Sequence, residues 1–212
     1  MRSGRPREPL PVAEWFDVEV PDDLSPRFNI APSQPIAVVR TPGRLEFLTW
    51  GIAREGRPLQ INARVETIGR SIQKQRRCLV AVDGFYEWRP AATSAARQPF
   101  VFRDAARHPL GFAGVWSRAT TKDGEVVESV AVMTCPPRAP VDAIHERMPL
   151  VIPREHYARW IDPAADVSDL LQPMATTLVA TPVSPFVNSP KNDDPRCLEH
   201  WEVGPPTQGA LF

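Results

Sequence analysis

Twenty-five of the 212 residues are proline, and they constrain the fold more than any other feature of the chain. Each fixes φ at about −65° and lacks an amide hydrogen, so inside a helix it removes a bond and clashes with the preceding turn. Spread along the chain, the prolines exclude long helices and predict short strands joined by loops. The apolar and β-branched runs between them mark candidate strands at 36–40, 45–50, 79–82, 99–103, 111–116, 126–134 and 177–181. Three short helices fit what remains, at 12–17, 66–77 and 153–161. Pro11 and Pro153 stand at first-turn positions that proline tolerates. The 66–77 segment opens on Glu66 and closes on Lys74, Arg76 and Arg77, the charge order a helix dipole favours. Repeats are absent. The chain reads as one domain over 1–192, large enough to bury its own core, with a flexible tail at 193–212 where periodicity fades and Pro and Gly collect.

Lys plus Arg and Asp plus Glu both number 25, so the formal net charge is zero. Proteins that coat nucleic acid are usually basic, because neutralised phosphates supply the sequence-independent part of affinity. Zero net charge therefore argues against broad, avid coating and leaves room for a local basic groove. Arg54, Arg57, Arg64, Arg70, Arg76 and Arg77 could line one, and a solvated basic face accounts for them equally well. The three cysteines, Cys78, Cys135 and Cys197, are far apart and form no CxxC pair, which reads as reduced thiols and no metal site. Cys78 opens the run Cys78-Leu79-Val80-Ala81-Val82 and belongs in a core. No cofactor is implied. Apolar content of 42% suits a globular domain, and no apolar run reaches the length of a membrane span. The opening Met1-Arg2-Ser3-Gly4-Arg5-Pro6 lacks the apolar stretch of a secretory signal, so the expectation is a cytoplasmic monomer.

Three segments carry the chemistry. In Gln60-Ile61-Asn62-Ala63-Arg64-Val65-Glu66-Thr67, Asn62 offers a donor and an acceptor, and Arg64 a fork that matches a phosphate. Two residues apart on extended chain, they share a face. In Val82-Asp83-Gly84-Phe85-Tyr86-Glu87-Trp88, a strand runs through a glycine to a carboxylate flanked by aromatics. Apolar surroundings raise a carboxyl pKa, which makes Glu87 a candidate general acid or base. In Val141-Asp142-Ala143-Ile144-His145-Glu146-Arg147-Met148-Pro149, His145 sits in a polar loop and can shuttle protons near neutral pH, with Glu146 beside it to favour the imidazolium. His108, His156 and His200 read as surface residues. Each segment alone also has a plain structural reading, as exposed polar side chains and packing aromatics.

Taken together and in this order, they resemble the SRAP family, the SOS-response-associated peptidase or abasic-site-processing proteins. The likeness extends through Arg27-Phe28-Asn29-Ile30-Ala31-Pro32, Thr49-Trp50-Gly51, Val132-Met133-Thr134, Val183-Ser184-Pro185 and Val187-Asn188. It implies an α+β fold: a single domain with a curved, barrel-like antiparallel β core, a few short helices and a channel for single-stranded DNA. It also implies action on abasic sites in that DNA during DNA damage repair, with the protein nucleoid-associated when bound. In the family, an N-terminal cysteine links covalently to the opened sugar of the lesion. By resemblance, Asn62 positions the nucleophile and sugar, Arg64 binds the neighbouring phosphate, Glu87 is the general acid/base and His145 assists linkage and its reversal. Pro32 and Thr134 line the pocket, and Arg5 matches the arginine of the family's opening Cys-Gly-Arg.

Two departures stand out. Ser3 occupies the place nearest the family's cysteine, and no cysteine lies before Cys78. A serine hydroxyl is a poor nucleophile without an activating base, and Pro6 and Pro9 do not suit a central first strand. After Trp50-Gly51 stands Ile52-Ala53-Arg54-Glu55-Gly56-Arg57, where the family has further aromatics that wedge against bases. Base–aromatic stacking contributes about 1–3 kcal/mol per base, so phosphate contacts gain weight in this chain. The missing thiol leaves three readings open: an altered terminus, a member that binds the lesion without linking to it, or a terminal amine that forms a Schiff base and promotes strand cleavage. A peptidase acting on other proteins has no nucleophile elbow and no metal motif to support it.

Overall fold

The computed structural model describes residues 12–22, 24–90, 97–174 and 176–201. In chain order its strands are β1 (Val18–Glu19), β2 (Pro35–Thr41), β3 (Gly43–Trp50), β4 (Ile52–Arg54), β5 (Arg57–Gln60), β6 (Asn62–Arg64) and β7 (Arg76–Val82). There follow β8 (Phe85–Arg89), β9 (Gln98–Asp104), β10 (Leu110–Thr120), β11 (Val126–Cys135), β12 (Met148–Pro149), β13 (Val151–Ile152) and β14 (Leu178–Pro182). The α-helices are short: α1 (Val12–Phe16), α2 (Val65–Ile68) and α3 (Tyr157–Ile161). All seven strands expected from the sequence are present, as β2, β3, β7, β9, β10, β11 and β14.

β3, β2, β7, β10 and β11 are hydrogen-bonded in that order as antiparallel neighbours. β11 then returns to β3 in a parallel pairing of Ser129 with Thr49 and Val130 with Trp50, which closes a five-stranded barrel. Closure pairs both outer strands of the set and so removes the edges an open sheet would expose. Val38, Val80, Ala113, Val130, Ala131 and Met133 are completely inaccessible within its core. Trp160 of α3 is equally buried, and its indole N–H donates to the Cys78 carbonyl at 2.8 Å. A second sheet, β14–β9–β8, packs beside the barrel through Phe85, which stacks on Phe102 and meets Phe112 edge-on.

The helix expected at 66–77 is divided. α2 passes into a 3-10 turn at Gly69–Lys74, and Arg76 and Arg77 already belong to β7, opposite Trp116 and Val115 of β10. Their charge order fitted a helix end, but pairing along the barrel decides their conformation. Arg77 is buried, and its guanidinium donates to the carbonyls of Trp160, Ile72, Asp162 and Ala165. It closes two helical ends rather than facing solvent. The helix expected at 12–17 stops at Phe16, because Asp17 takes a positive φ of 53°. The one at 153–161 begins as a 3-10 turn, Arg154–His156, before α3.

Residues 193–201, read from the sequence as the start of a tail, are packed. Asp194 caps a 3-10 turn at Pro195–Leu198, Cys197 is inaccessible beside Val101, Val183 and Val187, and Val183 bridges to His200. Fading periodicity marks 3-10 turns and side-chain-to-backbone bonds here, not loss of packing.

Candidate functional site

β3 leaves the barrel at Gly51, where φ is +123° and the main-chain N–H still donates to Val130. A Cβ at this glycine would stand 2.5 Å from the exposed Leu59 side chain, which would have to move, and the positive φ would strain any other residue there. The chain makes the β4–β5 hairpin excursion and rejoins β11 at Ile61, whose carbonyl accepts from Val132 N–H at 3.0 Å and from the Trp50 indole at 2.9 Å. β6 then runs parallel to β11, with Asn62 opposite Val132, Ala63 opposite Met133 and Arg64 opposite Thr134. Ala63 is buried, so the alternation of the strand exposes Asn62 and Arg64 together. Arg64 lies within electrostatic reach of Glu66, whose carboxyl pKa it helps to lower after the larger effect of Arg147.

Glu87 comes from the other sheet. On β8, Phe85 and Glu87 share one face, and Phe85 is anchored in the main core. Tyr86 and Trp88 face the opposite way, toward Val101, Val187 and Cys197. Tyr86 donates to the Phe28 carbonyl at 2.7 Å, and Trp88 to the Asn188 side chain at 2.7 Å. Glu87 is thus held by aromatics fixed on both sides of its strand. Its carboxyl is 23% exposed, and His145 Nε2 lies 3.7 Å from it. Burial pushes the Glu87 pKa up, with the facing His145 and the Trp88 N–H opposing that shift in part. The carboxylate facing the imidazole is Glu87, whereas the adjacent Glu146 is exposed to solvent.

His145 follows a 3-10 turn at Val141–Ala143 and is held from behind by Arg147, whose main-chain nitrogen lies 3.1 Å from Nδ1. The Arg147 carbonyl also lies 2.9 Å from Nδ1. The Arg147 guanidinium forks onto Glu66 at 2.6 and 2.9 Å and donates to the Thr134 carbonyl at 2.7 Å. Sequence reasoning did not single out Arg147. Its partners lie in α2 and β11, and a single sequence carries no signal for pairings across such distances.

A cleft of about 1110 Å³ collects these groups: Asn62, Arg64, Glu87, Thr134, His145 and Pro32 all line it. Every described residue that the sequence marked for the site therefore reaches one cavity. Ser3 and Arg5, the other two, lie outside the described residues. The arginine cluster does not act as a unit. Only Arg64 of the six lines the cleft; Arg77 is internal, and Arg76 stacks over Trp116. The other cleft arginines are Arg27, Arg103 and Arg147. Of the remaining histidines, His108 is more than a surface residue, since it stacks on Trp15 at 4.3 Å and lies 3.4 Å from Asp104. Cys78, Cys135 and Cys197 are all buried, and burial raises each thiol pKa, that of Cys135 to about 11. Among the described residues no cluster of His, Cys, Asp and Glu could hold a metal ion, and no helix is long and apolar enough to cross a membrane.

A family model described as SOS response associated peptidase (SRAP) matches residues 4–190. Abasic site processing protein YoqW of Bacillus subtilis is 30% identical over 210 residues, covering 89% of this chain and 93% of its own. Abasic site processing protein HMCES of Gallus gallus is 31% identical over 159 residues, covering 64% of this chain and 46% of its own. Among solved structures, a protein from Bordetella bronchiseptica superposes with a TM-score of 0.67 at 26% identity, covering 82% of this chain and 94% of that one. One from Bacteroides thetaiotaomicron gives a TM-score of 0.69 at 22% identity, covering 80% and 82%, and speaks to the fold.

Proposed function

The chain belongs to the SOS response associated peptidase family, and from that premise we propose that its cleft recognises abasic sites in single-stranded DNA and processes or shields them. The observation that carries this reading is the convergence of Asn62, Arg64 and Thr134 from the barrel with Glu87 and His145 in one cavity. Arg64 supplies a cation for a phosphate, and Asn62 two-way hydrogen bonding for the sugar. Burial raises the pKa of Glu87 where it faces the imidazole, the direction that suits a general acid. Glu87 can protonate the ring oxygen of the lesion sugar as the hemiacetal opens to the aldehyde, while His145 accepts the proton of the anomeric hydroxyl. The reading is of a monomer in the cytoplasm.

The buried thiols favour a specific form of the chemistry. Cys78, Cys135 and Cys197 are all inaccessible, so none of them is placed to attack the aldehyde, whereas a primary amine can do so. Its lone pair adds to the aldehyde carbon, water departs, and the imine formed acidifies the neighbouring carbon so that the 3′ phosphate leaves by β-elimination. Incubation with abasic single-stranded DNA, with and without borohydride, tests both levels. Trapping only with borohydride marks the imine; an adduct that survives denaturant without reductant marks thiol-like linkage. Equal binding to abasic and intact strands, with no adduct or cleavage, refutes the reading. Glu87→Gln is expected to slow processing by about 10²–10⁴-fold.

A further inference from the structure

Glu66 lies outside the cleft, on α2, and nothing in the proposed chemistry uses it. Its carboxylate nonetheless takes both arms of the Arg147 fork, at 2.6 and 2.9 Å. The same guanidinium donates to the Thr134 carbonyl at 2.7 Å and reaches its hydroxyl at 3.3 Å. Arg147 is thereby tied to α2 and to β11 at once. Its main chain meets His145 Nδ1 twice, with the carbonyl at 2.9 Å and the N–H at 3.1 Å. The carbonyl can only accept, so this shorter contact places the proton of the neutral ring on Nδ1 and leaves Nε2, turned to Glu87 at 3.7 Å, as the acceptor.

We propose that Glu66 is a positioning residue for the cleft chemistry: by clamping the Arg147 side chain it fixes the Arg147 main chain, and so sets which imidazole nitrogen of His145 holds the ring proton and which one faces Glu87 and the lesion as an acceptor. The inference rests on the functional reading above for its kinetic consequence but not for its structural one. The alternative role of Glu66 is to neutralise Arg147 and hold it back from DNA phosphates. The two roles predict different outcomes. A clamp that acts through His145 controls rate at saturation, because displacement of a reacting group by about 1 Å can cost about 10²-fold. A neutralising partner controls affinity, because its loss frees a cation for the backbone.

The tests use the full chain with Glu66→Gln, His145→Gln and the double variant, with melting curves recorded for each. Glu66 is half exposed, so its exchange for the isosteric amide keeps the fold intact. Glu66→Gln is expected to lower the saturating rate on abasic single-stranded DNA by about tenfold or more, with the Kd for intact strands unchanged. In the His145→Gln background the same substitution is expected to cost nothing further, since a residue that acts only through another is silent once that other is gone. A full additive loss in the double variant, or tighter DNA binding at an unchanged saturating rate, overturns the proposal. A second readout needs no DNA. In ¹⁵N-histidine-labelled protein, whose four histidines leave His145 identifiable from the His145→Gln spectrum, neutral His145 is expected as a single Nδ1–H tautomer. Glu66→Gln is expected to average the two nitrogen shifts; unchanged shifts overturn the proposal. Absence of abasic preference in the wild-type protein refutes the function while the nitrogen shifts still judge the clamp.

Discussion

At the scale of single residues, Glu87 pits function against stability. Its pKa is raised by burial, only partly offset by His145 and the Trp88 N–H. Below the ordinary carboxylate range the group is protonated in the folded and unfolded chains alike, and burial carries no ionic penalty. As pH rises through the unfolded value and then the higher folded one, the folded state must ionise a desolvated group, and stability is lost. Glu87→Gln is therefore expected to raise the melting temperature at pH 7 and to leave it unchanged at about pH 3–4, below the unfolded value. Each pKa unit is worth about 1.4 kcal/mol, and in a domain of this size about 2–4 °C per kcal/mol. Melting curves across that range check the sign; a variant less stable at pH 7 would contradict it. The aromatic flanks that raise this pKa were legible in the sequence. The histidine that completes the pair was legible only as a separate loop motif, since nothing local joins residue 87 to residue 145.

At the scale of elements, the approach of β8 to β9 aims that carboxyl. Gly84 precedes β8 so closely against β9 that a Cβ would lie 2.4 Å from the Phe102 carbonyl oxygen, which is backbone and cannot swing aside. Gly84→Ala is expected to destabilise the domain by about 1–3 kcal/mol through overpacking and to slow processing, because β8 must shift and carry Glu87 with it. Denaturant midpoints and abasic-strand turnover measure the two losses; an alanine variant with wild-type values in both would show that β8 is not aimed by this contact. The sequence marked Gly84 and the strand before it but not β8 itself, whose five residues are mostly aromatic on both faces and so show no apolar–polar alternation. The opposite error occurred at 66–77, where charge order suggested one helix. Arg76 and Arg77 obey the barrel register instead, as tertiary pairing overrides local preference.

At the scale of the whole molecule, two long-range features shape the cleft, and neither has a local signature. One is the parallel return of β11 to β3 and β6, which closes the sheet into a barrel and brings Asn62 and Arg64 to the cleft. Hydrophobic patterning reveals strands, not which of them meet. The other is the segment after β14, which runs back along the 27–29 loop. The Asn29 amide donates to the carbonyls of Val187, Ser189 and Asn192, each at 3.0 Å. Asp193 returns the connection, accepting from the N–H groups of Phe28 and Asn29 at 2.5 and 2.9 Å and pairing with Arg27. Burial works against the Asp193 charge, but the two N–H groups and the Arg27 guanidinium outweigh it and hold the pKa below the usual range. Such a group adds stability above the unfolded aspartate pKa, and that stability is lost as pH falls through the folded value. Asp193→Ala is expected to cost about 1–3 kcal/mol at pH 7, the penalty for stranding donors that are partly buried, with the difference from wild type shrinking below about pH 4. Because Phe28 and Asn29 line the cleft, the same variant is expected to bind abasic single-stranded DNA more weakly. Binding and unfolding measured on one preparation separate the possibilities: lost stability with untouched affinity would make this segment a structural strap alone, whereas loss of both makes it part of the cleft wall.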